Sequence, residues 1–255
     1  MPPKKASKAK PLPASLILGA LILGTAGLSA LAYLVFGRGS DTPDTPATTT
    51  PTTLVSAPLD AFRAQPVACG GTLPAASSQE ELTGFSDQGI TDIVNAVIKT
   101  SCGEITIELD PSTAPESVNN FVFLSRRGFY DGIVFHRIVP GFMAQTGDPL
   151  AAGYGGPGYS LPDEPPASDF VYEKGVVAMA KGNEISGSQF FIVTGDASHL
   201  EPVYNVLGRV IDGWDVLDQI DSIPITVNPM TGENSFPTQS AFIEGITIVE
   251  PGTDS

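Results

Sequence analysis

The sequence predicts a mainly β fold, a closed barrel plugged by helices, preceded by a membrane-spanning segment. Three observations carry this expectation. From residue 90 onward short β-rich runs recur, separated by turn residues; two stretches with helical spacing interrupt them; and residues 15–36 are apolar or small throughout. Many short strands are best satisfied by closure, which removes unpaired edges, with helices covering the open ends.

The elements follow in chain order. Residues 1–14 form a basic tail holding Lys4, Lys5, Lys8 and Lys10. Residues 15–36, about 22 in number, match a bilayer core at a helical rise of about 1.5 Å per residue. Four lysines before this segment against Arg38 after it place the N-terminus in the cytoplasm and the remainder across the membrane. Ala30-Leu31-Ala32 offers a cleavage site, so two readings stay open: a retained single-pass anchor, which the apolar run past that site favours, or secretion after cleavage. Residues 37–89 read as a tether and extension. Thr and Pro repeat through 40–53 without apolar periodicity, and Gly70, Gly71 and Pro74 break any long element further on.

The folded domain is expected over 90–252. Residues 93–100 and 104–109 form a β-hairpin about Ser101-Cys102-Gly103, with Ile105, Ile107 and Leu109 alternating as in a half-buried strand. Thr113-Ala114-Pro115-Glu116 is a capping box with proline in the first turn. Val118, Phe121, Val122 and Leu124 then repeat at helical spacing until Gly128. Strands are expected at 134–138, 176–180, 190–194, 205–210 and 243–249, with a short helix at 214–220. Residues 225–240 look like an inserted hairpin whose role the sequence does not reveal.

Charge and residue counts exclude several chemistries. The five positive charges above are the only charged residues before Asp41, so the net of −15 becomes about −20 on the rest, which opposes nucleic-acid binding. Gly153, Gly155 and Gly158 satisfy a dinucleotide fingerprint formally, but the proline-rich stretch after them cannot begin the helix it needs; a surface loop is expected. Two histidines, His136 and His199, without metal-ligand spacing argue against a metal site, and Ser188 lacks a nucleophile elbow. No cofactor is called for. Cys69 and Cys102 are too few for a disulfide scaffold or a zinc site; they either form one bridge, favoured in an oxidising compartment, or remain buried thiols.

Two clusters remain. Phe135-His136-Arg137-Ile138-Val139-Pro140-Gly141-Phe142-Met143-Ala144-Gln145-Thr146-Gly147-Asp148 sets an arginine, large apolar side chains and an amide within one short span. Read as a strand, it places Phe135, Arg137 and Val139 on one face and His136 and Ile138 on the other. Gly187-Ser188-Gln189-Phe190-Phe191-Ile192 puts Gln189 and Phe191 on a common face. Together the two resemble the signature of cyclophilins, and the likeness runs over about residues 90–250.

The resemblance implies an eight-stranded antiparallel barrel capped by two helices, with a groove for X-Pro peptides and peptidyl-prolyl cis/trans isomerase activity. It implies Arg137 as the catalytic arginine and Gln145 as its hydrogen-bonding neighbour. Phe142, Met143, Phe191 and Leu200 would wall the proline pocket. Ala180, Lys181 and Gln189 would hold substrate backbone, with His199 and Tyr204 on the rim and His136 counted among the substrate-binding residues. Departures from the family pattern are Lys181 where asparagine is common, His199 where cyclosporin-sensitive members have tryptophan, Tyr204 where histidine is frequent, and a shorter loop after Lys181. The expected partners are X-Pro-containing unfolded or exported polypeptides and, through residues 15–36, the membrane. A non-catalytic proline-peptide-binding chaperone or a surface adaptor on the same fold is the alternative.

Overall fold

The computed structural model describes residues 58–74 and 81–250. The expected basic tail, membrane anchor and Thr/Pro tether lie outside the described residues. Among the described residues no helix is long and apolar enough to cross a membrane.

Among the described residues three α-helices and eleven strands follow one another: α1 (Pro58–Ala64), β1 (Val94–Thr100), β2 (Gly103–Leu109), α2 (Pro115–Arg126), β3 (Arg137–Val139), β4 (Met143–Thr146), β5 (Ser160–Leu161), β6 (Val176–Lys181), β7 (Ile185–Val193), β8 (Val206–Asp212), α3 (Trp214–Asp221), β9 (Ile225–Val227), β10 (Asn234–Pro237) and β11 (Ile243–Val249). The main sheet is antiparallel and runs β11-β1-β2-β8-β6-β7-β4-β3, with β5 also paired to β7; β9 and β10 form a separate hairpin.

The expected full closure is corrected: the ladder is an open half-barrel. β3, at three residues, is too short to extend the ladder to β11, and β11 pairs along its length with β1. Among the described residues the two sheet ends meet through the isolated bridge Val134↔Phe242 and flanking bonds such as Phe135 N–H to the Ala241 carbonyl, 2.9 Å. Residues 58–74 cover this seam. Val67 bridges Ser240 in parallel fashion, and the Ser240 hydroxyl donates to the Phe62 carbonyl at 2.6 Å. Phe62 is fully buried with Val134, Ala151 and Phe242.

The core lies inside the curved sheet. Period-two alternation turns Ile105, Ile107 and Leu109 inward, where they meet Phe121 and Leu124 of α2 and Leu217 and Ile220 of α3. Phe121, Tyr130 and Phe190 form an aromatic cluster with centroids 5.3–5.6 Å apart, a spacing that favours edge-to-face contact. Gly128, at φ 66°, gives the left-handed turn that ends α2 after its Arg127 cap.

The start of α2 also departs from expectation. No side chain of the local sequence caps it. The Thr113 hydroxyl donates instead to the Asp110 and Val206 carbonyls, both at 2.7 Å. The cap comes from Glu164, whose carboxylate accepts from the Glu116 and Ser117 N–H groups at 2.9 Å and from the Ser117 hydroxyl at 2.7 Å. A carboxylate also suits the positive end of the helix dipole.

Candidate active site

Four neighbouring strands build the site by register. Arg137 of β3 faces Gln145 of β4, Gln145 faces Phe191 of β7, and Phe191 faces Ala178 of β6. One step along, Val139 faces Met143, which faces Val193. Alternation then puts Phe190 and Ile192 into the main core, while Phe191 and Val193 join a second apolar cluster with Met143, Tyr172 and Val206. Phe142, Leu200 and Tyr204 pack on that cluster from the loops.

The result is a groove of about 400 Å³. Its apolar lining is Phe142, Met143, Ala180, Phe191, Leu200 and Tyr204; its polar lining is Arg137, Gln145, Lys181, His199 and Glu233. Phe191 meets Tyr204 edge-on at 5.5 Å, and the His199 ring lies 4.7 Å from Phe142, so the rim rings brace the floor. Lys181 is tied to Asp163 at 2.7 Å across the groove's edge.

A hydrogen-bond relay orients the arginine from behind. Arg137 Nη1 donates to Gln145 Oε1 at 3.2 Å, Gln145 Nε2 donates to Gln189 Oε1 at 2.9 Å, and Gln189 Nε2 donates to the Gly155 carbonyl at 2.8 Å. The loop supplying that carbonyl is pinned by Asp148, which accepts N–H bonds from Leu150, Ala152, Gly153 and Gly155. Gly155 permits the approach, since a Cβ there would lie 2.0 Å from Asp148 Oδ1.

The structure therefore brings together Arg137, Gln145, Phe142, Met143, Ala180, Lys181, Phe191, His199, Leu200 and Tyr204. Two expected residues lie elsewhere. Gln189 is buried behind Gln145 with its amide committed to the relay, so it supports the groove without lining it. His136 is 5% exposed, and neither ring nitrogen has a hydrogen-bond partner among the described residues. Burial pushes its pKa down to about 4, outweighing the attraction of Asp148. The expected face of Phe135, Arg137 and Val139 also breaks: Phe135 enters the main core, because the strand begins only at Arg137.

One groove residue was not legible in the sequence. Glu233, at the end of the β9–β10 turn, grips Arg137 with both carboxylate oxygens, Nε to Oε2 and Nη2 to Oε1, each 2.6 Å. The Arg137 hydrogen bond holds its carboxyl below the usual range. The two residues are 96 positions apart, so no local pattern announces the pair.

Cys69 and Cys102 are joined in a disulfide that ties the 58–74 segment to the β1–β2 turn.

Comparison with known proteins agrees with this geometry. The family model for cyclophilin type peptidyl-prolyl cis-trans isomerase/CLD matches residues 95–248. A chicken (Gallus gallus) peptidyl-prolyl cis-trans isomerase-like 3 is 41% identical over 157 residues, covering 59% of this chain and 93% of the relative. Peptidyl-prolyl cis-trans isomerase B of Bacillus subtilis is 45% identical over 113 residues, covering 44% and 79%. A crystal structure of a Cryptosporidium parvum cyclophilin-type isomerase in the presence of the dipeptide Ala-Pro superposes with a TM-score of 0.55 at 30% identity, over 61% of this chain and 99% of that one. An apolar groove walled by Arg137 and Gln145 on an antiparallel half-barrel, matched by the family model over most of the folded domain, places the chain in the cyclophilin-type peptidyl-prolyl cis/trans isomerases, a family of enzymes.

Proposed function

We propose that the chain twists X-Pro bonds of exported polypeptides through Arg137, and that residues 15–36 tether it with the catalytic domain on the outer membrane face. The observation that carries the catalytic part is the setting of Arg137: a guanidinium fixed on the wall of a groove whose floor is apolar. A pyrrolidine ring has a place on Phe142, Met143, Phe191 and Leu200.

The chemistry is conformational. Amide resonance raises a rotation barrier of about 18–20 kcal/mol, and X-Pro isomerisation takes tens to hundreds of seconds. In the twisted state the lone pair localises on the prolyl nitrogen, which then accepts a hydrogen bond that neither planar state accepts well. Arg137 donates there, so it binds the transition state more tightly than the ground states. Arginine stays charged and offers a rigid fork of donors. Accelerating an event from about 100 s to about 1 ms requires about 7 kcal/mol of barrier lowering. One charged hydrogen bond supplies about 2–4 kcal/mol of this. The clamp on the ring and the held carbonyl supply the remainder.

The test is Arg137→Ala in the full-length chain, assayed on an X-Pro peptide. The expected outcome is a fall in kcat/KM of at least about tenfold with the fold intact, because the side chain is not part of the core. Unchanged turnover would remove the mechanism. The outer-face location rests on the anchor and the charge asymmetry around it. It is tested by protease accessibility of the domain in intact cells, and protection from external protease would overturn it.

A further inference from the structure

The β9–β10 hairpin stands apart from the main sheet, yet its turn delivers a carboxylate to the residue on which the proposed mechanism depends. We propose that Glu233 is a positioning residue for Arg137: it fixes the guanidinium so that its Nη1 end faces the proline groove. This rests on the reading of Arg137 as the catalytic arginine.

Three features of the hairpin favour positioning over obstruction. First, the turn is built and held. The Asn228 N–H donates to the Glu233 carbonyl at 2.7 Å and the Ser235 N–H donates to it at 3.0 Å. Asn228 Oδ1 accepts from the Met230 N–H at 2.9 Å. β10 packs beside β3, and the Phe236 ring lies tilted against the buried Phe62 at 4.7 Å, so the carboxylate arrives on a braced element rather than a loose lid. Second, the grip is on one edge of the fork. Glu233 takes Nε and Nη2, while Nη1 is turned towards Gln145 and Met143 inside the groove. Of the five N–H bonds of a guanidinium, these contacts commit two to the carboxylate, one to the amide and one, weakly at 3.6 Å, to the Met143 sulfur. Third, Glu233 forms part of the groove wall and leaves about 400 Å³ open beside it.

Without the carboxylate, Arg137 would be held from one side only, through Nη1, by a 3.2 Å bond to Gln145 and a weak 3.6 Å contact with the Met143 sulfur. Its side chain is 31% exposed, and a long side chain with such freedom spends time in rotamers that do not point at the substrate. The carboxylate also draws off part of the guanidinium's field, a cost that salt and water screen at a partly exposed pair. Orientation is the larger effect because the donor must meet a lone pair that exists only in the twisted state.

The test compares Glu233→Ala, Glu233→Gln and Arg137→Ala, alone and combined, in the full-length chain, with kcat and KM resolved on an X-Pro peptide. For Glu233→Ala, kcat should fall about fivefold or more while KM moves less than about twofold. Glu233→Gln, which keeps one acceptor for the fork, should recover much of the loss. Adding Glu233→Ala to Arg137→Ala should change nothing further. The Arg137 Nε–H resonance, protected in the parent, should broaden or vanish in Glu233→Ala and persist in Glu233→Gln; this readout stands even if the hairpin loosens. Higher or unchanged turnover in Glu233→Ala would overturn the proposal, the first by marking Glu233 as a plug. A loss that persists in the Arg137→Ala background, or a retained Nε–H resonance in Glu233→Ala, would overturn it as well. If Arg137→Ala itself retains full activity, the reading of Arg137 fails, which is distinguishable from failure at Glu233 alone.

Discussion

At the scale of single residues, His136 shows how far one position along the chain separates roles. Its neighbour Arg137 lines the groove, while the His136 ring is buried with no hydrogen-bond partner among the described residues. Asp148 and Arg137 are the charged groups that act on it, with opposite signs, and burial dominates both. The folded protein therefore keeps the ring neutral down to about pH 4, whereas the unfolded chain binds the proton near pH 6.5. The contribution of His136 to stability is complete above about pH 6.5, is lost at up to about 1.4 kcal/mol per pH unit as the pH drops towards 4, and levels off below that. Urea unfolding of the parent and of His136→Phe at pH 7, 6 and 5 measures this. The parent should lose more stability than the variant over the interval, and parallel losses would refute it. The residue types around Arg137 were legible because each carries its chemistry openly: a fork, an amide, large apolar rings. The layering was not. Period two separates faces, but it does not say that Gln189 stands behind Gln145 or that Phe135 precedes the point where the strand begins.

At the scale of elements, α2 joins local and distant causes. Its apolar spacing and Pro115 mark its place in the chain, and the observed helix follows that spacing. Its cap does not come from the Thr113–Glu116 box. Glu164, 47 positions beyond Ser117, satisfies the first-turn donors. It is itself placed by Asn205, which accepts from the Glu164 N–H at 2.8 Å and donates to the Ser117 hydroxyl at 2.9 Å. Removing this carboxylate leaves orphan donors beside a fully buried Ser117. Glu164→Ala should cost about 1–2 kcal/mol and Glu164→Gln less, as judged by chemical unfolding. A cost under about 0.3 kcal/mol for Glu164→Ala would show that water replaces the cap freely. The same contrast governs the strands. The β1–β2 hairpin and β11 announce themselves by β-rich runs and turn residues. β4 was not expected as a strand, because its four residues carry no alternation of their own and are extended by pairing with β3 and β7.

At the scale of the whole molecule, residues 58–74 hold the open seam of the half-barrel and the hairpin that reaches the groove. Cys69 is bonded to Cys102 beside the β1–β2 turn, and Phe62 is packed on Phe236 of β10. The sequence offered two cysteines and a few apolar residues here, with Gly70, Gly71 and Pro74 breaking any pattern, so the contribution of this segment was unreadable before its partners were known. Closing a loop of 33 positions limits the unfolded chain by on the order of 4 kcal/mol in the chain-entropy picture, an upper figure. A Cys69→Ala, Cys102→Ala double variant should lose about 2–4 kcal/mol of unfolding free energy. Loss of less than about 0.5 kcal/mol would mean that the segment docks without its covalent tie. The barrel was overdrawn by the sequence because closure depends on how far β3 extends, and three residues beside Pro140 and Gly141 do not carry a ladder across the gap.

In the proposed mechanism a fixed guanidinium beside an apolar floor lowers the barrier to rotation itself, beyond merely holding a proline peptide. The most direct measurement is cis/trans exchange of an X-Pro peptide bound to saturation, followed by NMR line shapes in the parent and in Arg137→Ala, with the dissociation constant measured alongside. Bound-state interconversion should slow at least about tenfold while affinity changes less than about threefold. Equal interconversion rates in the two proteins, or a loss carried wholly by affinity, would contradict it.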